Sequence, residues 1–184
     1  MLPVIQKKNI VALGCNVEYI NEKSEIIGNF NYGKESFYSI SSDFIINFFN
    51  GFHPLCPTVI MKKNFFELHD LKYNLKVGLA FDIFLWNKVI QKGGKIGILN
   101  NVLYQYRLHK NQDSVIFSGI MQCDLFHAWL IEKNKLSKIE KKLILNKVIN
   151  FYLNSIFQND EIIMRKALNI LLHQYALRDL SFMI

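Results

Sequence analysis

The chain is poor in cysteine. Three occur in 184 residues, Cys15, Cys56 and Cys123, odd in number and widely scattered, with no CxxC pair. Neither a disulfide framework nor a cysteine zinc cluster is indicated, and a reducing compartment fits. Long apolar runs are also missing. The nearest approach, Phe44 to Met61, is broken by Asn47, Asn50, Gly51, His53 and two prolines. It falls short of the roughly 18 uninterrupted residues that a spanning helix needs. Met1 to Lys8 turns polar too soon to read as a signal peptide. No glycine-rich turn leads from a strand into a helix, so the phosphate-cradling loop of nucleotide-binding folds is not seen. Gly93-Gly94 follows a helical pattern and does not open one. Internal repeats and low-complexity segments are absent too.

What is present argues for a folded protein. Hydrophobic residues make up 51% of the chain, too many for disorder. The length is enough for one domain with a sizeable core. Fifteen Phe and eight Tyr accompany many Lys, Asn and Ile, a bias that points to AT-rich coding more than to a special aromatic function. The formal charge of +7 favours contact with something anionic: a membrane surface, a nucleotide diphosphate, an acidic glycan or nucleic acid. Ordinary solubilising lysines would give the same balance. Nucleic acid is the weakest of these partners, because no recognised motif is present and the lysines are not interleaved with exposed aromatics.

Taken in order, residues 1–8 suggest a short helix. Asn9 to Ile20 is rich in β-branched residues and predicts a strand, Asn21 to Ser24 a turn, and Glu25 to Phe30 a returning strand. Asn31 to Glu35 is a loop. Ser41-Ser42-Asp43 is an N-cap cluster ahead of a short buried helix that Gly51 ends. Cys56 to Lys63 predicts a strand entered through proline, and Phe65 to Tyr73 a turn-rich link. In the stretch Val77 to Ser114, Phe81, Leu85, Trp86, Val89 and Ile90 recur at helical spacing, and Lys92-Gly93-Gly94 closes the helix. Two strand-like runs come next, Lys95 to Leu99 and Val102 to Leu108. From Val115 the reading is helical: Val115 to Lys133, Leu136 to Phe157, a break at Asn159-Asp160, and Glu161 to about Leu180.

Three segments carry a resemblance. Phe81-Asp82-Ile83-Phe84-Leu85-Trp86, then Lys92-Gly93, then Leu103-Tyr104-Gln105-Tyr106-Arg107-Leu108-His109 with Ser114, keep the order and spacing of a known pattern. That pattern is E-D-aromatic-D-L-W, a helix ending in K-G, and a strand ending L-Y-x-Y-R-x-H with a closing Ser. Cys56-Pro57-Thr58-Val59-Ile60-Met61-Lys62-Lys63 matches an H-P-T-V-M-F-R-K run upstream, with Cys in place of His. Gly14 to Gly28 looks like the accompanying hairpin. Together they resemble the acceptor-side half of bacterial family 2 glycosyltransferases, which have the GT-A fold. Two acids of the pattern are Phe81 and Phe84 here, and Asp82 alone remains. Met1-Leu2-Pro3 resembles the residues just after the family's metal-binding D-x-D-D motif. The family's first half, from a V-I-I-P-x-Y-N strand to that motif, has no counterpart. The expectation is therefore a truncated form that starts just after it.

The resemblance covers residues 1–114 and implies an α/β protein, α+β within this chain. An incomplete GT-A-like mixed sheet with flanking helices (1–114) would precede an all-helical tail (115–184). It also implies roles. Asp82 falls on the catalytic base, which takes the proton of the acceptor hydroxyl in inverting transfer. At a helix start the dipole would keep it ionised. Taken alone, Asp82 reads as a helix N-terminal acid without a catalytic role. Arg107 and His109 fall where the family brings polar residues near the diphosphate or the acceptor. Arg offers a permanently charged fork suited to phosphate, and His a metal ligand or a phosphate donor; they also read as a surface Arg and a strand-end His. Trp86 and Tyr104 could stack on a sugar, although core packing is the commoner use of such spacing. Glu67, His69 and Asp70 form a polar cluster in a loop that lies near the acceptor in the family.

No metal ligand and no cofactor is assigned in this chain, while Mg or Mn would be expected in an intact relative. Expected partners of that relative are a nucleotide-sugar donor and a surface-glycan acceptor, with a separately encoded N-terminal half as a further candidate. Lys133, Lys135, Lys138, Lys141, Lys142 and Lys147 accompany an apolar stripe from Leu136 to Ile149. Such a helix either lies on an anionic membrane or packs on a core with its lysines in water. A cytoplasmic location, peripheral at the inner face of the membrane, is the corresponding expectation. A non-catalytic module that docks on a membrane or on a separate donor half is the alternative from another class.

Overall fold

The computed structural model describes residues 1–7, 9–33, 35–112, 118–132 and 136–179. Ser114, Lys133 and Lys135 lie outside the described residues. The fold is mixed α/β and divides into two units. The first comprises residues 1–74 and 82–112, and the second residues 75–81 and 113–184.

The first unit is built on β1 (Ala12–Ile20), whose side chains are buried almost throughout. Such unbroken burial is the mark of a central strand, covered on both faces. Its first two residues pair antiparallel with β4 (Ile60–Met61), and its later part pairs antiparallel with β2 (Ile26–Phe30). Its other edge pairs in parallel with β5 (Ile96–Arg107) along the whole strand. β5 in turn pairs antiparallel with β3 (Phe37–Ile40), giving the order β2-β1-β5-β3 with β4 beside β1. A hairpin cannot reach a parallel neighbour. The chain enters β5 instead from α4 (Phe81–Gln91), where Gly93 turns out of the helix at φ 76°. The chain opens on α1 (Leu2–Lys7), and Ile5, Ile10 and Leu13 form an apolar cluster with Met1, Val4, Phe37, Ile60 and Leu99 packed on it. Trp86 of α4 is wholly buried.

β5 is one strand where the sequence suggests two. Its register against β1 shifts between Cys15 and Asn16 and again between Asn16 and Val17, so residues 100, 101 and 103 bulge from the ladder. Asn100 uses the bulge. Its amide nitrogen donates to the Gly33 carbonyl at 2.6 Å, and its oxygen accepts from Asn16 at 2.5 Å. The run of two asparagines is what breaks the strand pattern in the sequence. From Asn101 onward β5 pairs with β1 alone among the described residues, and Val102, Leu103 and Tyr104 are exposed.

Three more local expectations are corrected. β3 was not foreseen, because Phe37–Ile40 carries no alternation that separates it from loop. α2 (Phe44–Phe49) starts where expected, but Asp43 does not cap it with its side chain. Asp43 lies in the left-handed region at φ 49°, and its carbonyl takes the Asn47 N–H instead. The strand expected over Cys56 to Lys63 shrinks to Ile60–Met61. Pro57 lacks an N–H, and the Thr58 backbone and hydroxyl both donate to the Leu55 carbonyl, so Cys56–Thr58 winds into a tight helical turn. The link after it contains α3 (Lys63–Leu68).

The second unit is helical: a tight turn at Leu75–Ala80, then α5 (Ser118–Ile131), α6 (Lys138–Gln158) and α7 (Glu161–Asp179). Phe126, Trp129, Leu130, Ile144 and Val148 are wholly buried. α6 opens on a reciprocal cap between Ser137 and Glu140 and ends on left-handed Asn159. Gly78 holds φ 68° and ψ −148°, and a Cβ there would lie 2.7 Å from Asp124 Oδ2. Asp124 is itself paired with Lys166 at 2.5 Å. Among the described residues no helix is long and apolar enough to cross a membrane.

Candidate functional site

Asp82 sits in the first turn of α4, half-buried. Burial raises its carboxyl pKa above the ordinary 3.8, against the opposing pull of hydrogen bonds from the Ile83 N–H and its own N–H. The sequence reading expected the helix dipole to set the charge state. Burial works against the charged form by stripping hydration from the carboxylate, while the two peptide N–H groups favour it.

Two side chains from elsewhere in the first unit stand within reach of that charge. Cys56, from the turn before β4, and Tyr73, from the link before α4, meet at 3.8 Å between Sγ and the hydroxyl. Burial raises the Cys56 thiol, and the neighbouring Asp82 charge raises it further. The same influences, with Cys56 contact added, push the Tyr73 phenol up to about 12. Both groups are therefore neutral at pH 7, so Cys56 is no nucleophile and Tyr73 keeps a proton to donate. The trio is a proton-accepting carboxylate flanked by two neutral hydrogen-bonding groups.

Tyr73 also lines a cleft of about 630 Å³ together with Met61, Phe66, Leu71 and Leu85. Its rim carries two ion pairs, Lys63–Glu67 at 3.4 Å and Asp70–Lys72 at 2.6 Å. Leu85 lies one helical turn after Asp82 on α4, while Asp82 itself does not line the cleft. Aromatic rings together with paired charges form the kind of surface that takes a polar, flat-faced ligand. Of the polar cluster foreseen in this loop, Glu67 and Asp70 line the cleft, while His69 packs on the Phe65 ring with centroids 4.5 Å apart.

Arg107 and His109 are placed differently. Arg107 reaches across to the turn between β1 and β2. It donates to the Asn21 carbonyl at 2.5 Å, the Glu22 carbonyl at 3.1 Å and Ser24 Oγ at 2.9 Å. Three of its five N–H groups thus brace a hairpin. His109 begins the loop after β5, which Gln112 closes by donating to the Arg107 carbonyl and accepting from the His109 N–H. These contacts involve neither Asp82 nor Cys56 nor Tyr73. Trp86 is core, as its spacing suggests, and Tyr104 is exposed on β5. Cys56 and Tyr73 beside Asp82 were not foreseen, since nothing local marks a contact between residues 17 apart.

A divalent metal is expected in intact relatives of the resembled family. Among the described residues no three His, Cys, Asp or Glu side chains converge. No chemical step here is routed through a metal. Compared with models of known protein families and with curated proteins, the chain finds no match.

Proposed function

We propose that this chain carries the acceptor side of an inverting glycosyl-transfer site of the family 2 type. The observation that supports it is the setting of Asp82: a carboxylate made more basic by burial, at the first turn of a helix, whose charge acts on Tyr73, a residue that lines a cleft with Phe66 and the ion pairs Lys63–Glu67 and Asp70–Lys72. An acceptor sugar occupies the cleft against Phe66 and Tyr73. Its hydroxyl oxygen attacks the anomeric carbon of a nucleotide-activated sugar, the bond to the diphosphate breaks, and the hydroxyl proton passes to Asp82. A base matched to its task contributes on the order of 10²–10⁴-fold to such a step. The donor site and its metal are not assigned to any described residue. A surface glycan of the lipopolysaccharide or capsule kind is the acceptor class, and the resemblance in sequence is its support.

The test is a titration of ¹⁵N-labelled protein with oligosaccharides released from bacterial surface polysaccharides. A bound acceptor moves the amide signals of Phe66, Tyr73 and Leu85, and Tyr73→Ala weakens binding about tenfold or more. Saccharides that leave those three signals still, across the whole panel, contradict the reading.

A further inference from the structure

The second unit has a cleft of its own, about 530 Å³, which the proposal above does not use. One wall is a single face of α6: Lys138, Lys141, Lys142, Leu145, Asn146 and Ile149 follow one another at helical spacing. The other wall is Leu171 and Gln174 of α7. The order along α6 matters. Three cations occupy its first two turns, and the wall then becomes mainly apolar. The two helices are joined by the short turn at Asn159-Asp160 and run antiparallel, which sets Gln174 nearer the lysines than Leu171 is. The cleft therefore has a cationic end and an apolar end.

Two features separate it from a plain solvated lysine face. Gln174 is only 7% exposed, and its buried Nε2 has no hydrogen-bond partner among the described residues. A buried donor left unpaired is unfavourable, and a ligand oxygen would satisfy it. In addition, no carboxylate of the described residues pairs with Lys138, Lys141 or Lys142. Glu140, the acid nearest them in the chain, is taken up by the Ser137 N–H and hydroxyl at the helix cap. The positive end of α6 adds to the attraction for an anion. The volume lies within the ~300–1,000 Å³ of ordinary ligand sites.

We infer that this cleft binds a phosphorylated amphiphile, its phosphate held by Lys138, Lys141, Lys142 and Gln174 and its apolar stem laid along Leu145, Ile149 and Leu171. The inference stands independently of the glycosyl-transfer reading.

The experiment is calorimetric titration of the full chain with n-octyl phosphate below its micelle concentration, beside n-octanol and inorganic phosphate. Octyl phosphate binds at least tenfold tighter than either. The double variant Lys141→Gln/Lys142→Gln loses about tenfold or more in that affinity, and Leu171→Asn loses the advantage over inorganic phosphate. Lys147→Gln, on the same helix but outside the cleft, binds as the parent does. Circular dichroism checks that each variant keeps its helix content. Inorganic phosphate binding as tightly as octyl phosphate would remove the apolar stem from the account, and octanol binding as tightly would remove the phosphate. Equal loss with Lys147→Gln would reduce the site to diffuse charge and overturn it.

Discussion

Cys56 and Tyr73, 17 residues apart in the chain, meet at 3.8 Å and hold their protons beside the half-buried carboxylate of Asp82. A neutral thiol and a neutral phenol are weak neighbours for a charge. They leave Asp82 short of the hydration it would have in water, and its pKa rises. The setting makes a better base at some cost to the fold.

That cost has a pH signature. The folded Asp82 pKa lies above its unfolded value, so between 3.8 and the raised value the folded protein binds more protons than the unfolded chain. The contribution of Asp82 to stability is fully present below 3.8 and is lost as pH rises through the folded pKa. Asp82→Asn keeps an oxygen for the Ile83 N–H and removes the charge. Its melting temperature therefore matches or exceeds the parent's at pH 7 and loses the advantage near pH 3. Thermal melts across that range check the sign.

Arg107 is expected to act on the hairpin and not on a phosphate. Arg107→Lys keeps the charge but cannot fork across the Asn21 and Glu22 carbonyls and Ser24 Oγ together. Hydrogen exchange in residues 21–25 quickens severalfold in this variant, while global stability changes by about 0.5 kcal/mol or less, as for an exposed residue. A change in diphosphate binding without faster exchange in the turn would reverse the assignment.

Gly78 is required by its backbone. The region at φ 68° and ψ −148° is almost closed to other residues, and a Cβ would strike Asp124, the partner of Lys166. Gly78→Ala lowers stability by about 1–3 kcal/mol or more, read by denaturant unfolding. The loss is smaller in an Asp124→Ala background, where the obstructing carboxylate is gone.

The isolated chain is expected to show little or no transfer from UDP-sugars, with or without manganese. The donor half of such a site is not assigned to any described residue. Metal-dependent transfer by the purified chain, measured with radiolabelled donor, would require donor and metal groups that the acceptor-side reading does not contain.

How far the sequence carries can be judged element by element. The helix Phe81–Gln91 and its glycine stop are legible because periodicity and C-cap chemistry agree. So are the β1–β2 hairpin and the three long helices. Strand β3 and the continuity of β5 are not, because pairing decides them: Phe37–Ile40 becomes a strand on contact with Ile96–Leu99, and Asn100 is accommodated by a bulge that Asn16 and Gly33 hold. The site divides in the same way. Asp82 is visible as an acid entering a helix. Its companions Cys56 and Tyr73 are tertiary neighbours without local signal, and the Arg107 contacts depend on a turn more than 80 residues earlier.

The most direct test is the titration of Asp82 itself, followed through the carboxyl carbon of ¹³C-aspartate-labelled protein, with and without a saccharide that moves Tyr73. The account predicts a pKa above 3.8 in the free chain and a further change when the saccharide is bound, since the proposal sets an acceptor hydroxyl against the carboxylate. An Asp82 that titrates at the ordinary value, unaltered by bound saccharide, would contradict it.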